Sequence, residues 1–187
     1  LYALAVKVPV PLLLLFLWSV VLCIVRMRAS ADYFGGLLVL GLPSVLILVI
    51  ASSQTEMNRH MRYVLPVFPF LILMAGRVLA KDVVSSWTAR LVAGGMVAWL
   101  IVSSLLIAPH FLGYYNELAG GPHNGHHHLL NSNTEWGQDL LYLQKWMRDH
   151  PEAEDMKIAF FHNRLKPSLI GMTYKLPPVG PHQNIQC

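Results

Sequence analysis

The fold of this chain is decided by residues 56–69, which read Glu56-Met57-Asn58-Arg59-His60-Met61-Arg62-Tyr63-Val64-Leu65-Pro66-Val67-Phe68-Pro69. Three basic side chains, Arg59, His60 and Arg62, stand directly before a long apolar run. An arginine at the middle of a bilayer costs roughly 2.5–3.5 kcal/mol on insertion scales, so these cations belong at the membrane surface or in a polar cavity that opens there. Basic residues at that depth suit an anionic headgroup or a lipid-linked phosphate.

The composition around this stretch is typical of a membrane protein. Of the 187 residues, 55% are hydrophobic and 13% are charged, whereas soluble domains average about 25% charged residues. Because about 20 apolar residues span a bilayer, the uncharged runs predict four transmembrane helices, near residues 8–25, 33–53, 63–80 and 90–109. The third run is the shortest, and a re-entrant or interfacial helix is its alternative. The expected fold is an α-helical polytopic membrane region over 1–110.

The two ends of the sequence predict a piece of a larger membrane protein. The chain opens on Leu1 without a visible signal peptide, and it stops at Cys187 after a proline-rich segment. Its two cysteines imply no disulfide framework. The net charge of +4 reflects loop Arg and Lys, and no basic helix with interleaved aromatic residues indicates nucleic-acid binding.

The basic residues of the loops predict an orientation. The loops 26–32 and 77–90 together hold five Arg and Lys residues, whereas 1–7 and 54–62 hold three. By the positive-inside rule the first pair is cytoplasmic, and everything after Pro109 is outside. The expected location is therefore a multi-pass inner (cytoplasmic) membrane, with Lys7, Arg59 and Arg62 on the outer face.

After residue 110 the membrane-length apolar runs end, and residues 111–187 predict a small, truncated α/β extracytoplasmic domain. The sequence Ser132-Asn133-Thr134-Glu135 fits a capping box, and apolar residues then recur at helical spacing, which predicts a helix over about 138–149. Residues 157–161 predict a strand packed beneath it. For residues 168–172 the sequence allows either a short strand or a helix.

The sequence offers few residues for catalysis or metal binding. Three consecutive histidines, 126–128, cannot all face one ion on regular structure, so we expect a solvated loop and no native metal. The polar group around the capping box suits sugar hydroxyls and a ring face, and it equally suits turn building; it comprises Asn131, Asn133, Glu135, Trp136, Gln138 and Asp139. No outer carboxylate is singled out as a general base.

Four motifs together resemble a known family. They are Lys7-Val8-Pro9, Arg59-His60-Met61-Arg62-Tyr63-Val64-Leu65-Pro66, Tyr115-Asn116-Glu117-Leu118-Ala119-Gly120-Gly121-Pro122 and Asn131-Ser132-Asn133-Thr134-Glu135-Trp136-Gly137-Gln138-Asp139-Leu140. They resemble the C-terminal part of bacterial dolichyl-phosphate-mannose protein mannosyltransferase-like enzymes, phospholipid-carrier-dependent glycosyltransferases of the GT-C fold. The resemblance covers roughly residues 5–178. This chain departs from the pattern at Glu135, where the family has Asp, in the triple-histidine loop and at 166–169.

The resemblance implies a membrane glycosyltransferase that passes a sugar from a polyprenyl- or dolichyl-phosphate-linked donor to an unidentified acceptor at the outer face. The expected partners are then the lipid-linked sugar donor and membrane lipid. The resemblance implies no certain cofactor, and it does not decide whether a divalent metal is needed. The family's catalytic Asp lies upstream of the part matched here, so no catalytic residue is carried over and we expect the chain to be inactive alone. The alternative is a transporter or lipid-binding membrane protein for an anionic substrate.

The predicted lipid-phosphate site consists of Lys7, Arg59, His60 and Arg62. These residues stand at the outer ends of the first and third predicted spans, which is the depth of a lipid phosphate. Arg binds phosphate oxygens with a bidentate fork and Lys acts as a point charge. The alternative role for the same cations is to anchor helix ends to anionic lipid headgroups.

Overall fold

A computed structural model describes residues 2–26, 31–53, 61–80, 83–129, 133–134, 136–153, 155–158, 170–172 and 175. The chain forms two compact units, Leu1–Thr134 and Glu135–Cys187. The described residues of the first unit form the α-helices α1 (Tyr2–Lys7), α2 (Val10–Arg26), α3 (Ala31–Ser53), α4 (Phe68–Gly76) and α5 (Trp87–Ile107). The second contains α6 (Leu140–Asp149). The described residues are mostly helical and hold no strand.

Two helices, α3 with 23 residues and α5 with 21, are long and apolar enough to cross a bilayer. Helix α2 is shorter at 17 residues. The third apolar run is a 3₁₀ turn at Leu65–Val67, then α4, then a 3₁₀ turn at Arg77–Leu79. Large apolar side chains on α3 and α5 face outward, with Val39 69% and Leu106 81% exposed. Such exposure is typical of surfaces that contact lipid or another apolar partner.

The start of the third run follows from its two prolines. Pro66 and Pro69 lie in the first positions of the 3₁₀ turn and of α4, as the sequence indicates. A missing N–H is least harmful there, because the first N–H groups of a helix have no intrahelical acceptor. The run is therefore broken into short helical pieces rather than one straight helix.

Two buried clusters hold the helices of the first unit together. One joins α2, α4 and α5 through Leu15, Ala75 and Ala93, with Val83 and Val84 from the connection. The second joins α1 to α3 and to the residues before α4, through Leu4, Val8, Ala51 and Val64. The second cluster fixes α1, which ends at Lys7, beside the start of the third run, which follows Arg62.

The aromatic ring of Tyr33 lies between two guanidinium groups at the C-terminal ends of α2 and α4. Arg77 is 4.6 Å and Arg26 5.9 Å from the ring centroid, and Arg26 also donates a 3.1 Å hydrogen bond to the Tyr33 hydroxyl. Gly36 permits this approach, because a Cβ there would stand 2.8 Å from Arg77 Nη1. Two of the loop cations that set the predicted orientation are thus held together.

The second unit is described in part. Helix α6 begins at Leu140, within two residues of the predicted start. Its amphipathic sequence explains why this segment is helical. Gln144 donates a hydrogen bond to the main-chain oxygen of Ile170. The predicted strand is present only as an isolated parallel bridge between Lys157 and Lys175, and residues 159–161 lie outside the described residues. Residues 170–172, for which the sequence allowed either a strand or a helix, form a turn.

Candidate functional site

The end of α1 is shaped by Pro9, whose missing N–H leaves a helix carbonyl without its usual donor. In a continuous helix the oxygen of Ala5 would accept from residue 9. Asn116 supplies that donor instead: its Nδ2 donates to Ala5 O at 2.6 Å and to Val8 O at 2.8 Å. Its main-chain N–H donates to Val6 O at 2.9 Å. A single fully buried asparagine therefore terminates α1.

The side chain of Asn116 is itself positioned by the 3₁₀ turn that follows it. Its Oδ1 accepts the N–H of Ala119 at 3.1 Å, which caps the 3₁₀ turn Glu117–Ala119. The next residues, Gly120 and Gly121, have φ of 77° and 75°, a conformation that favours glycine. The motif Asn116-Glu117-Leu118-Ala119-Gly120-Gly121 thus forms a loop that positions Asn116 to hydrogen-bond the end of α1.

Lys7, the last residue of α1, lies in a cage of main-chain oxygens and a ring. Its Nζ donates to Leu112 O at 2.6 Å and to Asn133 O at 2.5 Å, and lies 4.2 Å from the centroid of the Tyr115 ring. Burial lowers the pKa of Lys7 to about 8, since desolvation disfavours the charged form. The two oxygens and the ring face favour the ammonium and offset part of that penalty. Among the described residues, two of its three N–H groups have an acceptor, and the third is available to a ligand.

Asn133 connects Lys7 to the predicted arginine cluster. Its main-chain oxygen accepts from Lys7, and its side-chain Oδ1 accepts the N–H of Met61 at 2.9 Å. Asn133 is 4% exposed, so both bonds are shielded from water. The structure thus brings together Lys7, Asn133 and the 3₁₀ turn Met61–Tyr63, which lie far apart in the sequence.

Arg62, in that turn, is exposed and sparsely bonded. Its Nη2 donates to the Tyr63 hydroxyl at 2.9 Å, and its guanidinium carbon lies 4.8 Å from the Tyr63 ring centroid. No carboxylate pairs with Arg62 among the residues that the structure describes. A guanidinium has five N–H donors, so most of them remain available to an anion. The other two predicted members, Arg59 and His60, lie outside the described residues.

An apolar cavity of about 490 Å³ lies among α1, α2, α3 and α4. Leu4 and Ala5 line it from α1, within one turn of Lys7, and Leu71 and Met74 line it from α4. The hydroxyl of Ser44 in its wall already donates to Leu40 O at 2.8 Å, so it offers the cavity no unsatisfied donor. The cation end of α1 is therefore adjacent to a space that suits hydrocarbon.

The six candidate sugar-binding residues do not fall in one unit. Asn133 belongs to the first unit; Trp136, Gln138 and Asp139 belong to the second, in which Gln138 bonds to the Trp136 N–H and to the Asp139 carboxylate. Trp136 is 44% exposed. Asn131 and Glu135 lie outside the described residues, as does Ser132 of the predicted capping box.

The histidine run is only partly solvated. His126 and His127 are exposed, but His128 is half-buried and bonded at both ring nitrogens, which corrects the expectation that the whole run is exposed. Its Nε2 donates to Ala119 O at 2.9 Å, so Nδ1 accepts from the Tyr2 hydroxyl at 2.5 Å. In the described part of the chain no three His, Cys, Asp or Glu side chains converge as metal ligands.

Sequence reasoning missed Asn116 and Tyr115 as structural members of this site. Tyr115 is 1% exposed, carries Lys7 on its ring and donates from its hydroxyl to Leu129 O at 2.8 Å. The available signal was Pro9, two residues after α1, whose missing N–H leaves a helix carbonyl for another polar group to satisfy. Comparisons with protein-family profiles, with curated proteins and with solved structures found no match.

Proposed function

We propose that this chain supplies the donor-binding part of a membrane glycosyltransferase that uses a polyprenyl-phosphate-linked sugar. The observation that carries the proposal is the bond pair at Asn133, which sets Lys7 beside the turn that holds Arg62. The lipid phosphate lies at Arg62, with Arg59 and His60 assisting, and Lys7 adds positive charge. Transfer of the sugar to an acceptor hydroxyl leaves a phosphate on the lipid, and cations stabilise the charge that develops there.

The apolar cavity supports the lipid half of the proposal. A polyprenyl chain is pure hydrocarbon, and burying it in a cavity without unsatisfied polar groups is favourable. The cavity touches α1 at Leu4, within one turn of Lys7. A ligand with a charged end and a long apolar tail matches that combination better than a small soluble anion does.

The proposal extends to the arrangement in the membrane. Besides α3 and α5, helix α2 and the broken run 65–79 cross or enter the bilayer, which gives four membrane segments. The ends that carry Lys7 and Arg62 face outward in an inner (cytoplasmic) membrane, and residues 135–187 belong to an extracytoplasmic α/β domain. Of the residues predicted to bind sugar or acceptor, Glu135, Trp136, Gln138 and Asp139 belong to the second unit and are its candidates for that contact.

Binding of radiolabelled polyprenyl phosphate to the full chain in detergent tests the proposal. We expect tighter binding than for the polyprenol of equal length, and the polyprenyl-phosphate-linked hexose should compete for the same site. A charge-assisted hydrogen bond contributes roughly 1.5–3 kcal/mol, so Arg62→Ala should weaken binding about ten- to a hundredfold. Arg62→Lys should restore part of it, since Lys lacks the bidentate fork.

Arg148→Ala is the matched control, because Arg148 is an exposed arginine of α6 in the other unit. It should leave binding unchanged. Equal affinity for the phosphate and the alcohol, or unchanged binding by Arg62→Ala, would leave these cations with a lipid-anchoring role alone. Uptake of an anionic solute by proteoliposomes would instead favour the transporter alternative.

A further inference from the structure

A second pocket, of about 310 Å³, lies at the C-terminal end of α5, and it shares Tyr115 with the surroundings of Lys7. Trp99, Ser103 and Leu106 line it from α5, and Tyr114 and Glu117 line it from the following segment. The pocket combines one carboxylate, aromatic rings and the exposed apolar side chain of Leu106. It therefore opens beside a helix surface that suits acyl chains.

The hydrogen bonds of this pocket converge on one carboxylate oxygen. Trp99 Nε1 donates to Glu117 Oε1 at 3.0 Å, and Ser103 Oγ donates to the same atom at 3.5 Å. Because Ser103 has a single hydroxyl proton, the 3.2 Å bond between Ser103 and Tyr114 is donated by the Tyr114 hydroxyl. Trp99 and Ser103 thus donate directly to Glu117 Oε1, and Tyr114 donates to the Ser103 oxygen.

The second oxygen, Glu117 Oε2, has no hydrogen-bond partner among the described residues, and no described cation pairs with this carboxylate. The pocket therefore offers acceptors and has no side-chain donor left over. Burial is the main cause that raises the pKa of Tyr114, and the negative charge of Glu117 raises it further. A ligand that brings donors and positive charge complements such a site, whereas an anion does not.

We propose that this pocket binds the primary ammonium group of a phosphatidylethanolamine-type phospholipid, with Glu117 Oε2 accepting the ammonium hydrogen bond. An ammonium group has three N–H donors and no acceptor, which matches the acceptor-only lining. The rings of Trp99 and Tyr114 present aromatic surface that attracts a cation. The acyl chains lie along the exposed face of α5 at Val102 and Leu106. A carbohydrate hydroxyl fits less well, because it needs an acceptor for its lone pairs and a donor as well.

Lipid retention measured by native mass spectrometry tests this proposal on the full chain. The protein is purified in detergent, incubated with equal amounts of phosphatidylethanolamine, phosphatidylcholine and phosphatidylglycerol, and delipidated stepwise. We expect about tenfold preference for phosphatidylethanolamine, from one charge-assisted hydrogen bond. Glu117→Gln keeps the acceptor for Trp99 and removes the charge, so it should abolish that preference.

Glu152→Gln is the matched control, since Glu152 is an exposed carboxylate of the second unit. It should keep the wild-type ranking. Trp99→Phe, which loses the N–H that orients Glu117, should reduce the preference in part. Equal retention of the three lipids by the wild type, or an unchanged ranking in folded Glu117→Gln, overturns the proposal. If Glu117→Gln does not fold, the wild-type ranking decides, because the quaternary nitrogen of phosphatidylcholine has no N–H to donate.

Discussion

The ammonium nitrogen of Lys7 lies 2.5 Å from the main-chain oxygen of Asn133, a residue 126 positions later in the chain. The side chain of Asn133 accepts the N–H of Met61 at the same time. A neutral, buried residue therefore sets the spacing between a lysine and an arginine-bearing turn. The geometry of the cations depends on a side chain that has no charge of its own.

Asn133→Ala should loosen this junction. The substitution removes the acceptor of the Met61 N–H, and a shielded N–H without a partner costs roughly 1–3 kcal/mol. We expect a lower thermal midpoint in detergent and faster hydrogen exchange at Met61. Asn124→Ala is the control, because Asn124 is exposed and its 3.3 Å bond to Gly120 O is open to water. Unchanged exchange at Met61 would show that Asn133 does not hold the turn.

Asn116→Leu should destabilise the first unit more than Asn133→Ala does. The leucine has a similar size but no donor, so Ala5 O and Val8 O both lose a partner inside the protein. Val8 is fully buried, and an unpaired buried carbonyl costs roughly 1–3 kcal/mol, to which the loss of the bonds to Ala5 O and Ala119 N adds. Thermal unfolding measures the loss. A midpoint for Asn116→Leu equal to that of the wild type would contradict the role of Asn116 as the terminator of α1.

Gly125→Ala should displace the ring on which Lys7 rests. A Cβ at Gly125 would stand 2.2 Å from Tyr115 Cε2, so the ring, which is 1% exposed, must shift from its position against Lys7 and Leu129. Overpacking of this kind costs roughly 1–3 kcal/mol. Gly113→Ala is the matched control, because nothing lies within 4 Å of its added Cβ. The two variants should therefore differ in thermal midpoint, and equal midpoints would refute the packing described for Tyr115.

Stability should rise and then fall as the pH is raised above 8. The pKa of Lys7 in the folded chain is about 8 against an ordinary value of 10.5, so between these values the unfolded chain binds more protons and stability increases with pH. Burial raises the pKa of Tyr115 from 10.0 to about 12, so the folded chain binds more protons there and stability decreases. Thermal midpoints measured across this range should pass through a maximum near pH 10.

Two variants separate these contributions to the pH profile. Lys7→Met should flatten the rise above pH 8, and Tyr115→Phe should flatten the fall above pH 10, at the expense of the 2.8 Å bond to Leu129 O. A profile of Lys7→Met that keeps the full rise would assign it to another group.

The predicted orientation can be tested by cysteine labelling. On a background of Cys23→Ser and Cys187→Ser, His127→Cys should react with an impermeant maleimide from outside and Ser85→Cys should not. Both positions are exposed, so access to the side chain does not limit the reaction. The reverse pattern would place Lys7 and Arg62 on the cytoplasmic face and remove the proposed outer site.

The sequence predicted the helices better than the way in which they are joined. Uncharged runs located α2, α3 and α5 within a few residues, because helix length and apolarity are local properties. The positions of Pro66 and Pro69 in first helical turns were also predicted from local rules, whereas the third run was predicted as one span and not as short helical pieces. The strand at 157–161 was predicted from a short apolar run, which cannot distinguish strand from other buried structure by itself.

The hydrogen bonds that connect the predicted site residues were not predicted from the sequence. Lys7 and the arginine cluster were singled out by charge near predicted span ends. Asn133 was assigned to a sugar-binding group, although its described bonds join Lys7 to Met61. Asn116 was read only as part of a family-like motif. Hydrogen bonds between residues more than a hundred positions apart leave no periodicity, so nothing local in the sequence indicates them.

The hydrogen bonds from Asn116 to the end of α1 also have a consequence for folding during synthesis of the chain. Val8 leaves the ribosome 108 residues before the asparagine that binds its carbonyl. During that interval the carbonyls of Ala5, Val6 and Val8 lack their asparagine donors, and α1 has its apolar packing against Ala51 and Val64. Synthesis of the segment after α5 thus completes the end of α1, and truncation before Asn116 should leave these three carbonyls without their donors.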